Sequence, residues 1–348
     1  MSVPAPRTSP LAGLGVTAPV LAAPMAGGPT TAALVTAAAQ AGGLGFLAGG
    51  YKTAEQLRAQ LAEVRAVTPV FGVNLFAPNP VAIDPADYRR YTAALRPLAE
   101  RYGVELPPEP VEDDDYWAQK LDLLRRDPVP VVSFTFAIPP AQVIASLRSV
   151  GSVVVQTVTN AAEARAATDA GVDMLAVQGW AAGGHSATLT PSRFPEPIPT
   201  AVLVALIRDA SRLPLIAAGG LATPAQVAEV IHAGAEAVMV GTALLRTPQS
   251  GASAVHQAAI ADRSRGETIL TRSFTGRPAR AIRNRFTEEY DALAPSGYPA
   301  LHHLTSPIRK AAAAAGDPEA VHLWAGTGYR QAAAGEAADV LRTLASVC

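Results

Sequence analysis

Apolar residues follow one repeated pattern along most of this 348-residue chain. Each repeat has apolar residues at helical spacing, then an Ala-Gly pair, then a short run of β-forming residues. Three copies lie at 31–50, 161–179 and 224–242. A glycine just past a helix supplies the left-handed conformation that ends it, and a continuous apolar strand indicates a parallel sheet buried on both faces. The pattern therefore predicts alternating helices and parallel strands.

Eight runs of β-forming residues carry this pattern, and a helical pattern follows each one. They are Val20–Ala23, Leu44–Ala48, Val70–Leu75, Val131–Thr135, Val153–Thr157, Met174–Gln178, Leu215–Ala218 and Ala237–Val240. Thr53, Asn160 and Thr223 lie where N-caps belong, and Pro224 takes the favoured first helical position. Eight such units in about 240 residues predict an α/β fold of the (β/α)₈ TIM barrel type. An open doubly wound sheet is the alternative, although such sheets seldom use eight units this regular.

Two segments do not fit the repeat, so we divide the chain into a barrel at 12–268 and a C-terminal helical cap at 269–348. An insertion at about 78–118 lies between the third strand and its helix, with helical pieces around Tyr88–Tyr102. Its acidic run, Glu112–Asp115, is interpreted as solvated, because it has no neighbouring histidine and no spaced oxygen ligands. The cap follows the eighth helix and is expected to cover the catalytic face or an interface.

Composition excludes several classes of partner. Charged residues make up 16% of the chain, and 28 basic against 29 acidic residues leave a formal net charge of −1. This balance offers no electrostatic attraction for nucleic acid or an anionic membrane, and no apolar run of roughly 18 residues predicts a membrane span. The single cysteine, Cys348, excludes an intrachain disulfide, and no signal peptide is visible. We therefore expect a cytoplasmic monomer or homodimer.

Glycines follow the seventh and eighth strands, at the end of a barrel where enzymes of this fold place their sites. Gly219 and Gly220 let the backbone approach a ligand closely, and the helix that begins near Thr223 offers unpaired N–H groups. Gly241 and Thr242 add further donors. Although such glycines also form simple tight turns, paired loops at this place favour a phosphate site.

His185 lies in the glycine-rich loop VQGWAAGGHSAT (177–188) after the sixth strand. A histidine there is well placed for acid–base chemistry, since its ordinary pKa is near neutrality. The other histidines are on predicted helices or in the C-terminal segment, where we interpret them as structural or solvated: His232, His256, His302, His303 and His322.

Residues at other strand ends suit a planar ligand. The turn at Pro24 and Met25, after the first strand, would lie flat at the mouth of the barrel. Asn74 in the third strand and Gln178 at the end of the sixth carry amides that can both donate and accept. Each of these residues, taken alone, is also compatible with an ordinary loop.

Several catalytic patterns are missing from the sequence. No His/Asp/Glu cluster has the spacing of metal ligands, and no G-x-S-x-G motif is present. No G-x-G-x-x-G opens a helix after the first strand, so a Rossmann site for NAD(P)H is not predicted. No lysine ends the sixth strand, which disfavours Schiff-base chemistry.

Five segments together resemble the nitronate monooxygenase family, formerly called 2-nitropropane dioxygenases. They read APMAGGPTTAALVTAAAQAGGLGFLAGGY, GVNLF, VQGWAAGGHSAT, AAGGLATPAQVAEVIHAGAEAVMVGTALL and HLWAGTGYR, and the resemblance extends over residues 12–345. It implies an FMN-containing barrel that oxidises alkyl nitronates with O₂ to a carbonyl compound and nitrite, without a metal or reduced nicotinamide.

The resemblance also implies roles for particular residues. His185 matches the family's active-site histidine, which takes the α-proton of a nitroalkane or hydrogen-bonds the nitronate oxygens. The implied FMN contacts are Ala23, Pro24, Met25, Asn74, Gln178, Gly183, Gly184, Gly219, Gly220, Met239, Val240, Gly241 and Thr242.

Two positions depart from the family pattern. Ala181 stands where a glutamate is common, and Ser186 and Ala187 follow His185 where Arg-Gly is common. A missing carboxylate would leave His185 less basic, which affects nitroalkane deprotonation more than nitronate oxidation. Two alternatives stay open: an enoyl reductase of the related flavin barrel type that uses NAD(P)H, and a non-catalytic carrier of FMN or another phosphate ligand.

Overall fold

Eight parallel strands form the centre of the computed structural model, which describes residues 9–347. The first nine strands in chain order are β1 (Val20–Ala22), β2 (Phe46–Ala48), β3 (Gly72–Phe76), β4 (Val131–Thr135), β5 (Val153–Val158), β6 (Met174–Gln178), β7 (Gly184–His185), β8 (Leu215–Ala218) and β9 (Ala237–Val240). All except β7 belong to one sheet, in the order β1-β9-β8-β6-β5-β4-β3-β2. A parallel bridge between Ala22 and Gly45 joins the two end strands and closes the barrel.

The predicted (β/α)₈ barrel and its eight strands are confirmed, and four strands (β4, β6, β8 and β9) have the predicted bounds. Their apolar composition follows from burial on both faces, because each side chain points into the barrel or outward to the helices. Phe46 and Met174 belong to the interior cluster. Leu47 and Leu175 belong to a larger cluster that includes helix residues. Neighbouring residues of one strand therefore fill two separate cores.

The helices begin at the predicted signals. Thr53, Asn160 and Thr223 each accept a hydrogen bond from the N–H three residues on, and Pro224 takes the first helical position. No helix within residues 9–347 combines the length and the apolar character that crossing a membrane requires. The helices are α1 (Pro10–Gly13), α2 (Ala32–Gln40), α3 (Ala54–Arg65), α4 (Pro85–Arg101), α5 (Trp117–Arg126), α6 (Ala141–Ser149), α7 (Ala161–Asp169), α8 (Thr200–Ala210), α9 (Pro224–His232), α10 (Ala254–Ala261), α11 (Arg285–Tyr290), α12 (Ala300–Ala314) and α13 (Ala337–Ala345).

The insertion and the C-terminal segment pack on each other outside the barrel sheet. Helix α4 contacts α12, and Tyr88 and Tyr91 of α4 share a second apolar cluster with Phe274. The C-terminal segment contains the predicted helices and also a small sheet that the sequence pattern did not predict. In that sheet β10 (Thr268–Thr271) pairs antiparallel with β11 (Ala279–Ile282), and β11 pairs antiparallel with β7.

The helix that completes the barrel is α13, at the end of the chain. It packs against α2, α9 and β1, whereas α10, the first α-helix after β9, contacts short 3₁₀ helices at 318–320 and 329–331. A helix does follow the eighth barrel strand, as predicted, but α13 and not α10 packs beside α2 and α9. Both helices bury an apolar face, so the local pattern did not show which of them contacts the barrel. The division of the chain at residue 268 stays a prediction.

Part of the acidic run in the insertion is paired. The Asp115 carboxylate lies 2.8 Å from Nζ of the buried Lys120 and also accepts the N–H of Tyr51 at 2.8 Å. The Asp113 carboxylate lies 2.6 Å from Nε2 of His303. Our interpretation of a solvated stretch is wrong for Asp115, whose side chain is mostly buried between Lys120 and Tyr51. Asp113 is exposed, as predicted, although the fold brings it His303 as a partner.

Leu341 tests whether α13 belongs to the barrel. Its side chain is 1% exposed within the larger cluster, so truncation leaves a cavity. We expect Leu341→Ala to lower the free energy of unfolding, measured by urea titration, by about 2–5 kcal/mol. Arg342→Ala, on the exposed side of the same helix, should change it by less than about 0.5 kcal/mol. Equally small effects of both substitutions would contradict the assignment.

Candidate active site

A cavity of about 620 Å³ lies at the carboxyl ends of the barrel strands. Because the ends of parallel strands meet on one face of a barrel, residues far apart in sequence converge there. Every residue that the sequence predicted for the cofactor or for catalysis borders this cavity: Ala23, Pro24, Met25, Asn74, Gln178, Gly183, Gly184, His185, Gly219, Gly220, Met239, Val240, Gly241 and Thr242.

The loops after β8 and β9 lie side by side along one wall of the cavity. Gly219 and Gly220 have φ angles of +110° and +75°, a left-handed conformation that favours glycine. A Cβ on Gly220 would lie 2.8 Å from the Cβ of Ala181. Within residues 9–347 the N–H groups of Gly220, Leu221 and Gly241 make no hydrogen bond. These groups are therefore available to an anion.

The N-terminus of α9 contributes less to this wall than we expected. Oε1 of Gln226 accepts from the N–H groups of Ala222 and Thr223 at 2.9 and 3.1 Å. Thr223 Oγ1 accepts in turn from the N–H of Gln226. This reciprocal cap uses donors that the sequence suggested were unpaired. The free donors lie just before the helix, in the loop at Gly220.

Residues 322–329, within the C-terminal segment, cover the loops after β8 and β9. The N–H of Gly326 donates to Thr242 Oγ1 at 3.0 Å, and the N–H of Thr327 donates to a carbonyl of the loop after β6 at 3.0 Å. A Cβ on Gly183 would lie 2.5 Å from the Gly326 nitrogen, so this close approach requires glycine. The glycines of two distant segments thus close one side of the cavity.

Backbone pairing holds His185 in place. Strand β7 pairs with β11, which sets His185 opposite Ala279. Nε2 of Gln178 donates to the His185 carbonyl at 3.2 Å, and its Oε1 accepts from the N–H of Ala187 at 2.7 Å. The amide that we expected at the edge of a planar ligand therefore also fixes the loop. The His185 ring places Nε2 2.9 Å from Thr275 Oγ1.

The surroundings of His185 keep its ring neutral. Burial lowers its pKa to about 3, and the charges of Arg277 and Arg309 act in the same direction. Arg277 is fully buried, with its guanidinium 3.9 Å from the centre of the Phe136 ring, and it donates to two carbonyls of the loop after β7. The expectation of a pKa near neutrality is therefore wrong, because it took no account of desolvation and neighbouring cations.

Asn74 presents an acceptor to the cavity. It is 3% exposed, and its Nδ2 donates to Ser133 Oγ and Thr135 Oγ1, both at 2.9 Å. These bonds fix the orientation of the amide. Oδ1 makes no hydrogen bond within the described residues and is available to accept one from a ligand.

Sequence reasoning missed an aromatic wall in which Tyr51, Phe136, His302 and Trp324 border the cavity and Tyr298 packs against the rings of Phe136 and His185. The Tyr51 and His302 rings stack at 4.3 Å, and the His185 ring lies 5.7 Å from Tyr298 and 5.4 Å from Trp324. Tyr51 and Phe136 have φ angles of +64° and +83°, which are costly for residues other than glycine. Their position just after β2 and β4 was a usable signal. The local sequence around Tyr298, His302 and Trp324 gives no comparable signal.

Three further histidines and an arginine border the cavity: His256, His302, His322 and Arg309. We interpreted these histidines as structural or solvated, and their local sequence gave no sign of this location. Burial lowers the pKa of His256 to about 4 and those of His302 and His322 well below their usual value. Within residues 9–347 no aspartate or glutamate borders the cavity. Its inner wall therefore combines neutral imidazoles with the positive charge of Arg309, and the exposed Lys310 adds a second positive charge at the border.

The buried histidines predict acid instability. Their folded-state pKa values are lowered, to about 3 for His185 and about 4 for His256, so the unfolded chain binds protons below about pH 6.5 that the folded chain does not. Their contribution to stability is complete above that pH and is lost as the pH falls. We expect Tm to fall between about pH 7 and pH 5. His256→Gln, which keeps a donor for the Trp324 carbonyl, should show a shallower fall; an identical slope would contradict this explanation.

Comparison with known proteins places the chain among its relatives. A family model described as nitronate monooxygenase matches residues 8–346. A probable nitronate monooxygenase of Staphylococcus aureus (strain Newman) is 37% identical over 324 residues, which cover 92% of this chain and 91% of that protein. The crystal structure of a nitroalkane oxidase from Streptomyces ansochromogenes is similar, with 43% identity and a TM-score of 0.92 over 97% of each chain. FabK from Thermotoga maritima, 24% identical with a TM-score of 0.75 over 97% of this chain and 94% of that one, shares the fold.

The barrel, its cavity and these matches define an oxidoreductase. The chain belongs to the nitronate monooxygenase family, whose model covers nearly all of its length. The resemblance that five sequence segments indicated is thereby confirmed.

Proposed function

We propose that this protein uses FMN and O₂ to oxidise alkyl nitronates to carbonyl compounds and nitrite. The observation that carries the proposal is one cavity that joins the glycine loops after β8 and β9 to His185 and Arg309. The family is flavin-dependent in general, which supports the cofactor class. The similarity to a nitroalkane oxidase supports a nitro compound as the substrate.

The residues at this cavity fit FMN. The free N–H groups of Gly220, Leu221 and Gly241 would hold the phosphate. Met25 would lie along the flavin ring, and Asn74 Oδ1 would accept a hydrogen bond from it. The volume of about 620 Å³ lies within the usual range for ligand sites. When bound, FMN would supply the electron-transfer path from the substrate to O₂.

His185 acts in this proposal as a neutral hydrogen-bonding group beside the nitronate. With a pKa of about 3 it is a weak base at neutral pH, so it deprotonates a nitroalkane poorly. The hydroxyl of Thr275 can donate to or accept from Nε2 and so supports either neutral tautomer. Ala181, at the family's glutamate position, adds no carboxylate that would raise this pKa. The preformed nitronate is therefore the preferred substrate.

His185→Asn tests the role of the histidine. We expect kcat/KM for a preformed nitronate to fall at least about 100-fold, the scale of a lost hydrogen bond to a group that develops charge in the transition state. The flavin absorption bands should be unchanged. His232→Asn, on the exposed end of α9, is the control and should keep the full rate. Full activity of His185→Asn would overturn the assigned role, and fast anaerobic bleaching of wild-type flavin by NADPH would favour an enoyl reductase instead.

Gly220→Ala tests the phosphate site. The new Cβ would meet the Cβ of Ala181 at 2.8 Å, at a φ of +75° that alanine rarely adopts, so the loop must shift its N–H groups. We expect the affinity for FMN, measured by fluorescence quenching on titration into apoprotein, to fall at least about tenfold. Gly266→Ala, where a Cβ meets nothing within 4 Å, should bind FMN like wild type. Equal affinity of both variants would argue against this phosphate position.

A further inference from the structure

Arg309 is a buried cation at the cavity that lacks a carboxylate partner. It is 6% exposed and borders the cavity. Within residues 9–347 no aspartate or glutamate forms an ion pair with it, and Tyr51 is the group whose negative form would favour its charge. Burying a charge without a counter-ion is costly, so an anion in the cavity would offset that cost.

The guanidinium of Arg309 contacts two of the cavity histidines. Its Nη1 lies 3.3 Å from Nδ1 of His322, and its Nη2 lies 3.4 Å from Nδ1 of His302. The arginine is itself fixed by donating to the His302 carbonyl at 2.8 Å and to Thr305 Oγ1 at 3.0 Å. Since a guanidinium group carries donors only, both Nδ1 atoms must accept. A neutral imidazole that accepts at Nδ1 carries its proton on Nε2, so Arg309 sets the same tautomer in both rings.

These two rings leave their Nε2–H donors free. Both rings border the cavity, and within the described residues neither Nε2 atom has a hydrogen-bond partner. Stacking on Tyr51, with the ring planes 3° apart, holds the His302 ring. Trp324 contacts both His322 and His185, with its ring 5.3 Å from the His322 ring and 5.4 Å from the His185 ring. The two rings therefore border the same cavity as His185.

We propose that His302 and His322 form a recognition site for a planar oxyanion, and that Arg309 is the positioning residue that sets their tautomers and supplies a favourable charge. The inference rests on the proposed function, in which the oxyanion is the nitronate group of the substrate. A wall of donors without a carboxylate favours the anionic nitronate over the neutral nitroalkane. The site would thus give the cavity its preference for the anionic form of the substrate.

Sodium nitrate is a suitable probe, because nitrate is a planar oxyanion that offers no carbon to oxidise. The FMN-loaded enzyme is compared with His302→Phe and His322→Phe, which keep a flat ring and remove the donor, and with Arg309→Met. His303→Phe is the matched control, since His303 is on the same helix as His302 but contacts Asp113. Two quantities are measured: the nitrate inhibition constant against a nitronate, and the Tm increase with nitrate at ionic strength matched by sodium chloride.

In the wild type we expect competitive inhibition by nitrate and a Tm increase that sodium chloride does not reproduce. In the three cavity variants nitrate affinity should weaken at least about tenfold, the effect of losing one hydrogen bond to a charged ligand. KM for the nitronate should rise in parallel, whereas kcat should change less than about threefold, because the contact is made equally in the ground and transition states. His303→Phe should behave like wild type.

The inference fails if folded, FMN-loaded His302→Phe and His322→Phe bind nitrate as tightly as wild type. It also fails if nitrate neither inhibits nor raises the Tm of the wild type. If the wild type oxidises no nitronate but nitrate raises its Tm, and the two phenylalanine variants lose that increase, the oxyanion site stands and the proposed function is wrong. The Tm measurement needs no turnover, so the two failures are distinguishable.

Discussion

The candidate active site depends on the backbone pairing of β7 with β11. This contact joins the loop after β6, which carries His185, to the C-terminal segment. The buried Arg277 reinforces it by donating to two carbonyls of the chain that follows His185. Tyr298, His302 and Trp324 of the aromatic wall come from this same C-terminal segment, and Tyr298 and Trp324 pack beside the His185 ring. The chemistry of the cavity therefore depends on a few hydrogen bonds outside the barrel sheet.

Desolvation then determines the charges at the site. A histidine in water titrates near neutrality, but burial beside Arg277 and Arg309 leaves the His185 ring neutral. The same effect keeps His302 and His322 neutral, so the inner wall carries its positive charge on arginine. A cavity with buried cationic and neutral donors and no bordering carboxylate among residues 9–347 suits two anions. In the proposed function these are the phosphate of FMN and the nitronate.

Local sequence was sufficient where the physical constraint is local. The apolar runs marked all eight barrel strands, because a strand buried on both faces tolerates few polar residues. The glycines at 219 and 220 marked a loop that borders the cavity, because only glycine accepts their φ angles readily. His185 was recognisable by its place after a barrel strand. The identity of the eighth helix was not, because α10 and α13 both bury an apolar face and only tertiary packing distinguishes them.

The sequence by itself thus determined the barrel, the position of the cavity and most of the loops that border it. Tertiary structure alone decided which distant side chains contact those loops. His302, His322 and Arg309 lie more than 100 residues after His185 along the chain, and the tertiary structure brought them to the same cavity. It also decided the protonation of His185, because a pKa depends on burial and on charges that lie close in space. Periodicity records which face of an element is buried, but not which distant side chains share the same cavity.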